Sequence, residues 1–272
     1  PMSCLLVDVG NTRVKWATSD GRRLATSRSA AYAEWSAEDW RETLLGECRF
    51  ERVLVASVAR GEAVDRLRMA VRVATGREAE FVASTREAAG VRNAYRDPVQ
   101  LGVDRWLAVV AAHHDPGGAC CVVDVGTAAT VDAVRGDGQH LGGFIVPGPD
   151  LMVGSLLHGT SDLAVRSASS EPGAAAYFAD NTRDAIHRGC RLALASLVDR
   201  SVADLGRLLG TLPHLLLTGG AAGEIQPHLR SSFTLDPDLV LRGLAVVSTC
   251  SDTPGGTAGP DPHSKQAGET GQ

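Results

Sequence analysis

Two short segments of the sequence combine an aspartate, a glycine and hydroxyl or amide side chains in the pattern of a phosphate-binding turn. They are Asp8-Val9-Gly10, followed by Asn11 and Thr12, and Asp124-Val125-Gly126, followed by Thr127. Glycine lets the backbone approach a ligand closely and adopt a positive φ angle, and we expect both at these turns. Successive N–H groups around such a turn form a concave anion site, to which the neighbouring hydroxyl and amide groups can add hydrogen bonds.

The two aspartates require a cation, because a carboxylate beside a bare phosphate is repelled by it. Asp8 and Asp124 are therefore predicted to bind a metal ion or its water shell. Lys15 lies two residues beyond Arg13 on the strand after the first turn, so both side chains face the same side of that strand. Lys15 can neutralise a terminal phosphate, although a solvated strand face is the alternative for this residue.

Each turn is predicted to join two β-strands at the start of one half of the chain. The first pair covers residues 4–9 and 13–17, and the second covers residues 119–125 and 129–134. Asp8 and Asp124 are 116 positions apart. Two unrelated hairpins are the alternative, but two copies of the same strand–turn–strand pattern favour an internal repeat.

The repeat predicts two domains and a tail. Asp115-Pro116-Gly117-Gly118 ends a predicted helix over residues 105–114, so we expect one domain over residues 2–116 and another over residues 117–250. From residue 251 to residue 272 the chain has almost nothing apolar. Such a segment cannot bury enough surface to offset its ordering entropy, and we expect a disordered tail.

Two homologous halves that each give a phosphate loop to one cleft are the architecture of the actin-like ATPases and sugar kinases. We therefore expect an α/β fold of two duplicated actin-like domains, of the acetate and sugar kinase/Hsp70/actin class, with a cleft between them. A predicted strand over residues 215–218 runs into Gly219-Gly220 and then a helix. This turn supports the fold, because it lets the backbone pack under an adenosine.

A separate segment, Gly102-Val103-Asp104-Arg105, lies at a loop-to-helix junction and predicts the acceptor side of the reaction. Asp104 can accept the proton of an attacking hydroxyl, and Arg105 can form a bidentate pair with a substrate carboxylate. The spacing alone leaves simpler alternatives open. Asp104 can be a helix N-cap that stabilises by ~1 kcal/mol, and Arg105 can be a surface residue.

Composition narrows the class of partner. The net charge of −5 and the pI near 5.9 argue against a non-specific nucleic-acid binder. No stretch approaches the ~18 apolar residues of a membrane span, and no secretory signal is recognisable, so we expect a cytoplasmic protein. None of the six cysteines forms a C-x-x-C pair, which argues against a zinc site. Cys4, Cys120 and Cys121 are expected to be small buried hydrophobes.

Taken together, the segments resemble the type III pantothenate kinases, and the resemblance extends from Asp8 to about Leu244. The matching stretches are D-V-G-N-T-R-V-K at 8–15, Y-x-x-P-x-x-L-G-V-D-R-W at 95–106, D-V-G-T-A-x-T at 124–130, G-G-F-I-V-P-G at 142–148, N-T-x-x-A-I at 181–186, the glycine pair at 219–220 and P-D-L-V-L-R-G-L at 237–244. Five or more ordered motifs make a chance match very improbable. The resemblance implies ATP-dependent phosphorylation of pantothenate to 4'-phosphopantothenate, the first step of coenzyme A synthesis.

The resemblance also implies residue roles. ATP would be bound by Asp8, Gly10, Asn11, Thr12, Arg13, Lys15 and Thr127, with Asp8 near Mg²⁺. Pantothenate would be bound by Tyr95, Gly102, Val103, Asp104, Arg105 and Thr182, with Asp104 as the catalytic base. Asp124 would bind a monovalent cation, K⁺ or NH₄⁺. The family resemblance further implies a homodimer, with no nucleic-acid or membrane partner.

Two other functions stay open from the sequence. Some relatives of these kinases are described as accessory regulators of transcription, although the full set of catalytic-type residues and the net charge of −5 weigh against that role. A kinase or phosphatase acting on a sugar or a polyphosphate is the other alternative. Tyr95 and the Gly-Val-Asp-Arg segment favour pantothenate over a sugar or a polyphosphate.

Overall fold

A computed structural model describes residues 4–21, 23–46, 50–114, 118–168 and 177–250. The predicted tail over residues 251–272 lies outside these ranges, as do residues 115–117 of the predicted domain boundary. Both therefore stay predictions. Cys4, Cys120 and Cys121 are buried, as expected from the apolar runs that contain them.

The chain forms two five-stranded mixed sheets and a small hairpin. The first sheet contains β1 (Cys4–Val9), β2 (Arg13–Ser19), β3 (Arg28–Ala31), β4 (Arg52–Ser57) and β5 (Glu80–Phe81). The hairpin contains β6 (Glu87–Ala88) and β7 (Val91–Arg92). The second sheet contains β8 (Cys120–Val125), β9 (Ala128–Val134), β10 (His140–Pro147), β11 (His214–Thr218) and β12 (Phe233–Leu235).

The two sheets share one topology. Their strand orders are β3-β2-β1-β4-β5 and β10-β9-β8-β11-β12. In each sheet the first three strands in the chain pair antiparallel and the other two join in parallel. The internal repeat predicted from the two Asp-Val-Gly turns is therefore confirmed at the level of the whole sheet.

Helices connect these strands. They are α1 (Ala37–Trp40), continued by a π-helical turn (Arg41–Leu45), α2 (Glu62–Thr75), α3 (Val103–His114), α4 (Pro149–Gly159), α5 (Ser161–Ala168), α6 (Thr182–Leu209), α7 (Ala222–Ile225) and α8 (Leu239–Thr249), with short 3₁₀ turns at Pro98–Gln100 and Gln226–His228. Local sequence explains several ends. Ser36 and Asp39 form a capping box at the start of α1, and Gly76 ends α2 in the left-handed conformation.

The layers alternate between helices and sheets. On its outer face the first sheet packs against α1 and α2 through Trp40 and Leu67, while α6 and α7 cover the outer face of the second sheet through Leu194 and Ile225. Between the sheets lie α3 and α8, in one core that draws residues from both halves. Its members include Leu6, Leu54, Leu107, Val122, Leu216 and Leu241.

Each of the two central helices packs on the sheet formed by the other half of the chain. Although α3 precedes the second sheet in the chain, it packs on β8 and β9. Conversely α8, the last helix, packs on β1, β2 and β4 of the first sheet. The helices cross closely because Gly243 has no side chain, and a Cβ there would overlap the carbonyl oxygen of Leu107.

Substitution at Gly243 tests this crossing. Gly243→Ala is expected to lower the free energy of unfolding by about 1–3 kcal/mol, because the added methyl group must displace backbone in a packed core. Gly189→Ala in α6 is the matched control, since a Cβ at Gly189 meets nothing within 4 Å. It should raise stability by up to about 1 kcal/mol through helix propensity. Urea unfolding of both variants measures the contrast, and equal stabilities would show that the crossing adapts.

Candidate active site

The two predicted phosphate turns close in the same way. The N–H of Gly10 donates to the carbonyl oxygen of Arg13 at 3.0 Å, and the N–H of Gly126 donates to that of Ala128 at 3.1 Å. Each turn follows an aspartate placed one residue before the end of its strand. Asn11, Thr12 and Thr127 are exposed at the turn tips, as a phosphate contact requires.

The expected positive φ at the turn glycines is wrong. Neither Gly10 nor Gly126 adopts it. Their lack of a side chain matters for space instead, because an added Cβ would lie 3.3 Å from the carbonyl oxygen of Arg13 at the first turn and 3.4 Å from that of Ala128 at the second. Tight closure of the turn, rather than an unusual backbone angle, is the physical reason for glycine at these positions.

Three aspartates from different elements share one cleft. Burial, together with the charges of Asp104 and Asp124, raises the pKa of Asp8 to about 7. Burial together with the charge of Asp104 likewise raises the pKa of Asp124 to about 6. The pKa of Asp104 is also raised, mainly by burial. Carboxylates that influence each other in this way are close together, so the fold unites the metal and acceptor residues predicted from the sequence.

Lys15 faces the same cleft. It is the cross-strand neighbour of Asp8, and its positive charge lowers the pKa of both Asp8 and Asp124. Its ammonium group donates to the carbonyl oxygen of Pro237 and lies 3.7 Å from Oδ1 of Asp238. Lys15 is thus half-buried and bonded at the start of α8, so a freely solvated strand face does not describe it.

Asp238 was not predicted as a site residue. Its Oδ1 atom is shielded from solvent and has no hydrogen-bond partner among the described residues, although the charge of Lys15 faces it. The signal available in the sequence was the segment Pro237–Leu244, which contributed to the family resemblance without any assigned role. The pairing itself depends on α8 returning to the first sheet.

Asp104 lies inside the first turn of α3 and not at the residue before it. Its Oδ1 accepts the N–H of Arg105 at 2.8 Å. A Cβ at Gly102 would lie 2.6 Å from the same oxygen, so a side chain at that position would displace the carboxylate. Asp104 therefore stabilises the helix end with one oxygen and keeps a second for other chemistry. Val103, the other residue of the predicted acceptor segment, is buried.

Arg105 is buried, so the surface alternative for it is wrong. Its Nε and Nη2 atoms donate to the two carboxylate oxygens of Asp132 at 2.8 and 2.7 Å, and Nη1 donates to the Tyr95 hydroxyl at 3.0 Å. His140 contacts the same carboxylate at 3.0 Å. Asp132 and His140 were missed from the sequence, although an aspartate inside an apolar strand is a usable signal because strands are poor in aspartate.

Two further glycines allow loops to approach the second turn. Gly148 donates its N–H to the carbonyl oxygen of Thr127 at 2.9 Å, and a Cβ there would overlap the carbonyl oxygen of Gly126. Gly219 has a φ of 97°, and a Cβ there would overlap Asp124. The predicted adenosine turn therefore packs directly behind Asp124.

Two predicted residues, Thr182 and Arg13, have no hydrogen bond to Asp8, Asp104 or Asp124 among those found in the described residues. Thr182 is the first residue of α6, where the side chain of Asn181 caps the helix by accepting the N–H of Asp184 at 2.9 Å. Within the described ranges, no hydrogen bond links Thr182 with Asp104. The Nε atom of Arg13 donates to the Ser29 hydroxyl at 3.2 Å.

The described residues contain no group of three or more histidine, cysteine, aspartate or glutamate side chains arranged to hold a metal ion. A magnesium ion that is bound mainly by phosphate oxygens needs only one or two protein carboxylates. Asp8 and Asp124 fit that kind of site. Separately, none of the described helices is long and apolar enough to cross a membrane.

Paired sheets of identical topology, with a phosphate-type turn from each at one cleft, define the actin-like class of ATPases and kinases. Two solved structures cover most of the chain. A Baf family transcriptional activator from Campylobacter jejuni covers 89% of this chain and 96% of its own, with a TM-score of 0.54 and 20% identity. The activator of 2-hydroxyisocaproyl-CoA dehydratase from Clostridium difficile covers 90% and 92%, with a TM-score of 0.50 and 14% identity. These identities establish the fold alone.

The chain belongs to the type III pantothenate kinase family, whose sequence model matches residues 4–204. A type III pantothenate kinase of Laribacter hongkongensis is 38% identical over 91% of this chain and 99% of its own length. Another from Janthinobacterium is 41% identical over 90% of this chain and 96% of its own. The predicted activity, phosphorylation of pantothenate in coenzyme A biosynthesis, is confirmed.

Proposed function

We propose that Asp104 is the catalytic base of this pantothenate kinase, and the convergence of Asp8, Asp104 and Asp124 in one cleft carries the proposal. The primary hydroxyl oxygen of pantothenate attacks the γ-phosphorus of ATP while the bond to the β,γ-bridging oxygen breaks. The hydroxyl proton passes to Asp104, and ADP leaves. In such transfers the protein mainly positions groups and stabilises charge.

On the nucleotide side, the first turn binds the ATP phosphates through residues 10–13, and Thr127 of the second turn contributes a hydroxyl. Lys15 offsets the charge that develops on the transferred phosphoryl group. When bound, Mg²⁺ would supply positive charge that offsets the negative charge of the phosphate groups. Asp8 is the residue that would hold it. Burial, with the charges of Asp104 and Asp124, raises the pKa of this carboxyl to about 7, and a bound cation would favour its ionised form.

Asp124 is the residue that would hold the monovalent cation, K⁺ or NH₄⁺. Burial, with the charge of Asp104, raises its pKa to about 6 although Lys15 lowers it, and a bound cation would favour the ionised carboxylate. Val125 offers a carbonyl oxygen in the same turn, although that oxygen already accepts the N–H of Ala221 at 2.9 Å. A carboxylate with adjacent carbonyl groups is a donor set suited to a hard cation.

The acceptor side is formed by Tyr95, Gly102, Val103, Asp104 and Arg105, with Thr182 as a further contact to pantothenate. Arg105 can offer only the N–H groups that Asp132 and Tyr95 do not occupy. Substrate recognition by Arg105 therefore uses single N–H donors. The bidentate pair that was predicted with a substrate carboxylate is formed with Asp132 instead.

A coupled assay tests these assignments. Purified protein with Mg-ATP and K⁺ should release ADP when pantothenate is added, and should not do so with sugars or pantetheine in its place. Replacing K⁺ by Na⁺ should lower the rate, because the size of a cation site and the number of its ligands determine which ion it prefers. Equal rates in the two salts would contradict the cation role of Asp124. An absence of stimulation by pantothenate would contradict the acceptor assignment.

We further propose that the protein is a homodimer that pairs through β10 and α4. β10 is an edge strand, and Phe144 and Ile145 are 56% and 63% exposed on its two faces. Leu151 and Leu156 extend this apolar surface onto α4. An exposed apolar edge strand is a site for pairing with another chain, and a second copy is the occupant that family resemblance implies.

Buried thiols at Cys4 and Cys121 are compatible with the proposed cytoplasmic location.

Charge placed on the edge strand tests the dimer. Phe144→Glu is expected to convert the protein to a monomer in light scattering coupled to size exclusion, because an unpaired charge would be buried at the contact. Leu212→Glu is the control, since Leu212 is 79% exposed at another part of the surface. A parent protein that is already monomeric, or a Phe144→Glu variant that stays dimeric, would contradict this interface.

A further inference from the structure

The strongest feature outside the proposed set of reacting groups is a buried ion pair between the two halves of the chain. Arg105 on α3 is 6% exposed, and Asp132 on β9 is 2% exposed. Two parallel hydrogen bonds of 2.8 and 2.7 Å join them. Burying two charges has a large desolvation cost, so such a pair need not stabilise the fold. Its presence is therefore better explained by a role other than stability.

His140 completes the cluster from β10. Its Nδ1 accepts the backbone N–H of Ala94 at 3.4 Å, so that nitrogen carries no proton. The proton therefore resides on Nε2, which donates to Oδ1 of Asp132 at 3.0 Å. The imidazole also stacks on the ring of Tyr95, with centroids 6.3 Å apart and planes inclined by 13°. His140 thus contacts both the anchor of Arg105 and the ring of Tyr95.

The arrangement determines which parts of Arg105 a substrate can meet. A guanidinium group has five N–H bonds. Asp132 uses two of them and the Tyr95 hydroxyl uses one, at 3.0 Å. Because Nε and one N–H of Nη2 are directed to Asp132, the remaining N–H bonds on Nη1 and Nη2 keep a fixed direction. The same contact with Nη1 orients the Tyr95 phenol.

The second sheet provides the space for this pair. Gly143 on β10 is the cross-strand neighbour of Asp132. A Cβ at Gly143 would lie 2.5 Å from Oδ1 of Asp132 and 2.9 Å from Nη2 of Arg105. A side chain there would push the two partners apart. Three residues of the second sheet therefore act together to orient Arg105: Asp132, His140 and Gly143.

We propose that Asp132 and His140 are positioning residues for the pantothenate site, acting through Arg105 and Tyr95. This inference rests on the proposed role of Arg105 and Tyr95 in binding pantothenate. Neither Asp132 nor His140 exchanges a proton in the reaction. They hold the guanidinium and the phenol in the direction that the substrate requires, so that no binding energy is spent on ordering them.

The expected result is a split between the two substrates. Asp132→Asn should raise KM for pantothenate by about 10-fold or more, a typical effect of losing a residue that orients a binding group. The KM for ATP should change by less than about 2-fold, because among the described residues the side-chain hydrogen bonds of the pair go to Tyr95 and His140 and not to either ATP turn. His140→Gln keeps the charge balance of the pair and should raise KM for pantothenate by about 3–10-fold, as expected for one hydrogen bond.

Glu80→Gln is the matched control. Arg52 and Glu80 form the same bidentate geometry at 2.9 and 2.7 Å, at the opposite end of the first sheet from Asp8. This variant should leave both KM values unchanged. Thermal unfolding of all variants separates loss of fold from loss of positioning, and His140→Gln keeps the proposal testable where Asp132→Asn fails to fold.

A double-mutant cycle decides between this inference and the proposed function. If Asp132 acts through Arg105, adding Asp132→Asn to Arg105→Ala should change KM for pantothenate by less than about 2-fold. A normal KM in Arg105→Ala would overturn the role of Arg105 itself. A raised KM in Arg105→Ala with a normal KM in folded Asp132→Asn and His140→Gln would overturn only the positioning role.

Discussion

Replacing Asp104 by asparagine is expected to lower kcat by on the order of 10²–10⁴-fold, the usual effect of removing a general base. Asparagine keeps the size of the side chain and an oxygen that can accept the N–H of Arg105, a bond of 2.8 Å in the parent protein. It cannot take the proton of the attacking hydroxyl. The affinity for Mg-ATP, measured by calorimetry, should stay nearly unchanged, because the phosphate turns come from β1–β2 and β8–β9.

Asp97→Asn is the appropriate comparison for this variant. Asp97 is an exposed carboxylate of the same segment, and its side chain accepts the N–H of Val99 at 3.4 Å. Asparagine preserves that contact, so Asp97→Asn should keep full turnover. A fully active Asp104→Asn variant would contradict the role of Asp104 as the catalytic base. The remaining role of Asp104 would then be its hydrogen bond in the first turn of α3.

Replacing Asp8 by asparagine should abolish most activity and at the same time stabilise the free protein. Loss of the carboxylate that is proposed to hold Mg²⁺ should lower kcat by at least about 10²-fold, comparable to removing one essential charge-stabilising group. The stabilisation follows from the pKa of about 7, which is raised by burial and by the charges of Asp104 and Asp124. An ionised Asp8 therefore opposes folding in the free protein.

The stabilising effect of Asp8→Asn depends on pH. A carboxyl whose pKa is raised on folding binds its proton more tightly in the folded state, so stability is highest below the ordinary pKa of 3.8 and falls as pH rises toward 7. The stabilising effect of Asp8→Asn should therefore grow from about pH 4 to about pH 7 and level off above it. After allowance for solvent screening of a half-buried group, we expect about 1–2 kcal/mol at pH 8, seen as a Tm higher by a few degrees.

Asp137→Asn separates this effect from general loss of negative charge. The pKa of Asp137 lies below its ordinary value because the backbone N–H of Gln139 bonds the carboxylate. Its substitution should give no gain in Tm at pH 8. A similar gain in both variants would show that the effect comes from the change in net charge. A loss of stability in Asp8→Asn would contradict the expectation that the ionised aspartate cluster destabilises the fold.

Much of the fold was predictable because the relevant signals are local. The strand–turn–strand pattern around Asp8 and Asp124 depends on neighbouring residues, and the helix predicted over residues 105–114 is α3, which begins two residues earlier and ends at the same residue. Elements with weak signals were missed. β3 is mostly exposed and carries little apolar alternation, and β12 has three residues, all exposed.

Asp8, Asp104, Asp124 and Lys15 influence one another in the fold, but the partners of the predicted site residues were hidden by long-range packing. Lys15 and Pro237 are 222 positions apart, and they meet only because α8 returns to the first sheet. The pairing of Arg105 with Asp132 depends on how α3 lies across β9, which no spacing within the chain reveals. The sequence thus singled out Arg105 as a candidate site residue but gave no indication of Asp132, which accepts two of its N–H bonds.

The return of α8 to the first sheet has a consequence for how the protein is made. A ribosome releases the chain from its N-terminus, so β1, β2 and β4 are available long before the helix that covers their inner face. Until residues 239–249 have emerged, Leu6 and Leu54 have no contact with Leu241 and its neighbours. A fragment ended at the predicted domain boundary would lack that helix permanently. The half that is synthesised first is therefore the half whose core is completed last.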